Sequence, residues 1–164
     1  HRKDYLRSGI NLIQANINNI QINEAKEVIP MIDIQYTIET EQYGNKTGNR
    51  LFIPANIFRK GFTTPDLKQR VQDIHINYGY LDTDSICLQI PEGYTIESLP
   101  KTCQVTSSFG SFSSSLMIKD KEICIIHRLL MHRGIYPKEI YKDFLEFRKQ
   151  IAAQYSSKII LKKE

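Results

Sequence analysis

Three cysteines and four histidines are the side chains best equipped for chemistry in this 164-residue chain. A nucleophilic thiolate needs a lowered pKa, supplied by a helix N-terminus or a neighbouring imidazolium. Cys87 and Cys124 fall inside segments that read as strands, and Cys103 follows a Pro-Lys-Thr turn. None opens a helix, so the expectation is small, semi-buried structural residues. No CxxC pair and no zinc spacing is present. The odd count leaves at least one thiol unpaired in a monomer. One bridge is compatible with an oxidising compartment, but spacing does not name the pair.

His127 and His132 share one predicted strand at an odd separation, which sends them to opposite faces. They cannot chelate one metal together while that strand is unbroken. His75 stands on another strand with no local partner. Asp82-Thr83-Asp84 looks like the start of a calcium loop but lacks the glycine and the late glutamate. It reads as a turn between two strands. Glu92 and Glu97 flank a turn, and nothing fixes the separation a glycosidase pair needs. Asn45-Lys46-Thr47 fits a glycosylation acceptor, but a plain polar loop is the expected reading. No catalytic, cofactor-binding or metal-binding set emerges. Among nine Tyr and seven Phe, Tyr78, Tyr80 and Tyr94 lie near loops and are the surface candidates for stacking on a sugar or a partner.

The elements that must position these residues are mostly strands. Ala15, Ile17, Ile20 and Ile22 alternate with a slip of parity at Asn18-Asn19, as at a bulge. Ile32, Ile34, Tyr36 and Ile38 form a half-buried strand. Tyr43 to Asn49 is a loop, and Arg50 to Pro54 is a short strand. Pro65 to Val71 is compatible with one helical turn. Strands follow around Ile74–Tyr78, Ile86–Ile90, Tyr94–Ile96 and Cys103–Val105. Phe112–Lys119 and Glu122–His132 make a hairpin about Asp120-Lys121. Apolar residues on both faces of its second strand predict cover on both sides. Ile140, Phe144, Phe147, Ile151 and Tyr155 then recur at helical spacing, ended by Ser156-Ser157. Lys158 to Lys162 is a closing strand. The fold class is mainly β: an antiparallel β-sandwich of about eight to ten strands with one long helix in the C-terminal region. Residues 1–10 read as the tail of an upstream helix or linker, and 11–164 as a single domain.

Composition excludes several classes. The net charge is +4, with interspersed signs and no basic stripe carrying stacking aromatics, so nucleic-acid binding is not expected. No apolar run reaches membrane-helix length.

The second half has a distinctive order. Ile86-Cys87-Leu88-Gln89-Ile90-Pro91-Glu92-Gly93-Tyr94 leads to Glu97-Ser98-Leu99-Pro100, then to Phe109-Gly110-Ser111-Phe112-Ser113 and Arg128–Leu130. Gly134-Ile135-Tyr136-Pro137 precedes the helix, and Lys158-Ile159-Ile160-Leu161-Lys162 ends the pattern. This order resembles the C-terminal domain of unknown function that follows a transglutaminase-like core in exported proteins of Gram-negative bacteria. The resemblance implies a periplasmic or cell-envelope location and a Cys-His-Asp core upstream of this chain. It implies a non-catalytic accessory domain that docks on or supports that core, its partner in the same polypeptide. A free-standing carbohydrate- or peptide-binding sandwich is the alternative. The resemblance brings no functional residues with it.

Overall fold

The computed structural model describes residues 9–10, 12, 14–26, 31–58, 64–67 and 70–164. The expected helix tail at 1–10 falls almost wholly outside the described residues. Among those described, twelve strands and one long helix follow in order: β1 (Asn16–Ala25), β2 (Met31–Glu39), β3 (Asn45–Thr47), β4 (Arg50–Pro54), β5 (Ile74–Ile76) and β6 (Tyr80–Gln89). Then come β7 (Tyr94–Ser98), β8 (Cys103–Ser107), β9 (Gly110–Lys119), β10 (Glu122–Met131) and β11 (Gly134–Tyr136). A 3-10 turn (Lys138–Ile140), the helix α1 (Tyr141–Tyr155) and β12 (Lys158–Lys163) complete the series. The fold is mainly β, as the alternation predicts.

Two four-stranded antiparallel sheets dominate. The first runs β6-β10-β9-β8 and the second β3-β4-β12-β7. β1 and β2 form a separate hairpin, and β5 pairs with β11. The bulge expected in β1 is present: the register slips between Asn18 and Gln21, and Asn19 sits at φ 52°.

β10 shows how the layers are arranged. Its period of two buries Ile123, Ile125, His127, Leu129 and Met131 on one face. Ile123 and Ile125 pack against Ile53, Ile159 and Leu161 of the second sheet. Leu129 and Met131, with Phe112, pack against Tyr141, Phe147, Ile151 and Tyr155 of α1. The second sheet and α1 therefore lie side by side over one face of the first sheet. The opposite face of β10, with Cys124, Ile126, Arg128 and Leu130, is half-buried to exposed. The expectation of cover on both sides is corrected. Both faces of β10 carry aliphatic side chains, but only one has a packing partner among the described residues.

Local chemistry explains the hairpin and the helix. Asp120 takes the positive φ of 54° that the tight β9–β10 turn requires. At the other end of β9, Gly110 has φ 150°, and a Cβ there would fall 1.9 Å from the Leu130 carbonyl oxygen. Only glycine fits that approach. α1 ends where Ser156 Oγ donates to the Ala152 carbonyl at 2.8 Å and Ser157 Oγ to that of Gln154 at 2.6 Å, satisfying last-turn acceptors.

Three further expectations change. Residues 45–47 are not loop: they pair with Arg50–Phe52 across Gly48-Asn49, with Gly48 at φ 59°. Asp82-Thr83-Asp84 is not a turn. These residues lie mid-strand in β6, opposite Leu129, Arg128 and His127 of β10. No helical turn occurs at residues 64–67 or 70–71, and 68–69 lie outside the described residues.

Candidate functional site

The boundary between the two covering layers is polar. His127 (1 % exposed) and Asn56 (4 %) are buried there. Asn56 Nδ2 lies 2.9 Å from Asp84 Oδ2 and 3.2 Å from His127 Nδ1, while its Oδ1 accepts from the Phe58 amide at 2.8 Å. The imidazole also meets the Tyr155 ring edge-on at 5.3 Å and lies 5.8 Å from the Phe112 ring. One asparagine thus ties the chain after β4 to β6 and β10 where the second sheet meets α1. Buried polar groups persist when hydrogen-bonded to one another. His127 is thus buried among Asn56, Phe112 and Tyr155, where its contacts join the layers.

The cysteines divide into two kinds. Cys87 and Cys124 are register partners on β6 and β10 and form a disulfide. The Glu122 carboxylate lies 3.5 Å from Cys124 Sγ. Cys87, Cys124 and Glu122 have the donor types for a metal, but each sulfur is bonded to the other and neither is a thiolate. Cys103 is the free cysteine. Burial pushes its thiol above the usual range, the opposite of what a nucleophile needs. Glu97, one of the two acidic residues flanking the Pro91–Gly93 turn, is engaged by Arg50: Nε and Nη2 each approach a carboxylate oxygen at 2.6 Å. That bidentate bond holds the Glu97 carboxyl below its ordinary value.

The three candidate tyrosines take different positions. Tyr94 is half-buried against the core between the two sheets. Tyr80 is 40 % exposed. Its phenol and that of Tyr155 favour the charged form of Arg148, whose pKa burial lowers. Tyr78 is 82 % exposed. It lines a hollow of ≈ 330 Å³ with His75, Asn77, Arg133 and Ile135 along β5 and β11. The structure brings no two of the three together at one site.

A second hollow, ≈ 250 Å³, lies on the open face of the first sheet. Arg128 and Leu130 of β10, Ser111 and Ser113 of β9, and Gln104 of β8 line it. Register places Thr83 and Ser113 on either side of Arg128, with Gln104 beyond Ser113. Leu81 pairs with Leu130 at one end of this face, and Met117 with Cys124 at the other.

These elements coincide with a known domain family. A family model described as a Domain of Unknown Function with solved-structure structure (DUF3858) matches residues 49–161. The chain belongs to this family. The DUF3858 match takes in β4 to β11, α1 and most of β12, so the whole first sheet, three strands of the second, the polar boundary and both hollows fall within it. No curated protein and no solved structure matches the chain.

Sequence reasoning missed Asn56, Arg133 and Ile135. For the buried cluster a signal existed: His127 falls in phase with Ile123, Ile125, Leu129 and Met131, the inward set of its strand. Asn56 and Asp84 lie in separate stretches of chain, and no pattern links them. Arg133 and Ile135 are single exposed residues in a three-residue strand and its approach, too short to show a period.

Proposed function

We propose that this DUF3858 chain is a non-catalytic accessory domain of a larger exported bacterial protein, docking on and supporting a transglutaminase-like core in the same polypeptide. The observation that carries this reading is the open face of the first sheet. Leu81 is 51 % exposed, Met117 60 % and Leu130 36 %, and they share that face with half-buried Ile126. The opposite face is filled by α1 and the second sheet. Apolar side chains at both ends of a sheet face that has no packing partner among the described residues, with Arg128 between them, support reading that face as an interaction surface.

Two features add support. One cysteine pair is joined in a disulfide, as suits the periplasm or cell envelope. The third thiol is held in its neutral form by burial. No helix among the described residues is long and apolar enough to cross a membrane, so the reading involves no helical span.

The test is to express the parent protein with Leu81→Asp and Leu130→Asp together. The docking reading expects earlier melting of the core and faster proteolysis between the two parts. Unchanged melting and proteolysis would remove the open face as the docking surface. The carbohydrate- or peptide-binding module is the second reading, favoured by the hollow beside Tyr78.

A further inference from the structure

The hollow along β5 and β11 is lined by His75, Asn77, Tyr78, Arg133 and Ile135. Its outer wall places His75 directly opposite Ile135 across the two strands. Both are exposed, Ile135 at 68 %. Tyr78 and Asn77 follow β5, and Arg133 precedes β11, all exposed. An aromatic face and a branched aliphatic side chain thus stand beside a guanidinium, an imidazole and a side-chain amide. Among the described residues no carboxylate forms an ion pair with Arg133. Asp73, just before β5, instead accepts from the Lys138 backbone amide at 3.1 Å.

An exposed Tyr loses little by solvation, but it presents a rigid apolar plate with a polar rim. Such plates stack on the C–H face of sugar rings. Arg supplies a planar fork matched to a carboxylate. Asn donates and accepts at once, which suits a sugar hydroxyl. The volume, ≈ 330 Å³, lies at the lower end of small-ligand pockets, the scale of one or two rings rather than a long polymer. β5 and β11 pair only with each other among the described residues, so each also has an outer backbone edge beside the hollow.

We propose that this hollow binds an acidic sugar of the uronate type, with the ring over Tyr78 and Ile135, the carboxylate on Arg133, and ring hydroxyls on Asn77 and His75. It is a different surface from the open face invoked for docking, and its occupancy does not depend on that reading.

The test is a titration of the whole chain, followed by amide and side-chain NMR, with three probes. Glucuronate carries both ring and carboxylate, glucose the ring alone, and acetate the charge alone. Glucuronate should shift signals of His75, Asn77, Tyr78, Arg133 and Ile135 and bind about tenfold or more tightly than either partial probe, since a charge-assisted bond and a stacked ring then act together. Arg133→Gln should bring glucuronate down to the level of glucose. Tyr78→Ala should weaken glucuronate and glucose alike and leave acetate unchanged. Both side chains are exposed, and an unchanged spectrum elsewhere confirms the fold of each variant. The proposal is overturned if glucuronate leaves these signals unmoved, if acetate binds as well as glucuronate, or if Arg133→Gln binds glucuronate as the parent chain does.

Discussion

Phe144 and Phe147 sit three positions apart on α1, yet their surroundings differ. Phe147 is 2 % exposed in the core. Phe144 is half-buried and meets Phe109 edge-on at a centroid distance of 5.0 Å. Phe147→Ala should therefore lower stability by about 3–5 kcal/mol in chemical denaturation, and Phe144→Ala by distinctly less. Equal losses would mean that the helix face is turned differently from the one described. Glu97 gives a second residue-level expectation. Hydrogen bonding to Arg50 lowers its folded pKa, more than desolvation raises it. A depressed carboxylate contributes stability above its unfolded value, and that contribution disappears as pH falls through the folded one. Arg50→Gln should move the Glu97 titration, followed by side-chain NMR, upward. An unmoved titration would show that the bidentate pair is not populated in solution. Both groups are solvent-exposed, so the effect on global stability is small.

At the scale of elements, sequence legibility followed length. β2, β4, β9, β10, α1 and β12 carry enough residues for a period of two or 3.6 to be visible, and their expected positions agree with the structure. β5 is legible from the alternation of Ile74, Ile76 and Tyr78, though it ends at Ile76, whereas β3 and β11 have three residues each, too few to show a period. Only their partners in space define β3 and β11. Acidic residues at Asp82–Asp84 favour a turn locally, whereas pairing with β10 overrides that preference. The exposed face of β10 departs from expectation for a related reason: aliphatic composition records what a face can pack against, not whether anything is there. The disulfide belongs to this scale too. It joins β6 to β10 across 37 residues of sequence, and alternation alone did not select the pair. Closing such a loop limits the unfolded chain, and its loss should cost about 2–4 kcal/mol. The Cys87→Ser, Cys124→Ser double variant, or a thiol reductant, should lower the denaturation midpoint accordingly, while Cys103→Ser should respond to reductant as the parent does. A midpoint indifferent to reductant would show that the pair is not bonded in solution.

On the scale of the whole molecule, one face of the first sheet is filled by α1 and the second sheet, with a polar seam at Asn56, Asp84 and His127. The other face has no packing partner among the described residues; it is apolar at its ends and carries a cation among hydroxyls at its centre. That asymmetry underlies the proposed role: the packed face gives the domain its own core, and the open face is available to a larger partner. The fold class was legible from alternation, and the neighbouring core was implied by family resemblance. Which face could serve the proposed docking was not legible, because it depends on which of two similar strand faces is left uncovered among the described residues. The most direct test is to melt the proposed transglutaminase-like parent core with and without residues 11–164, following protease cleavage at the junction in parallel. Docking predicts that removing the domain lowers the melting temperature of the core, and that the intact protein resists cleavage at the junction until the core unfolds. If the two parts melt independently and the junction is cut at once, the domain is a tethered module, and the docking account is wrong.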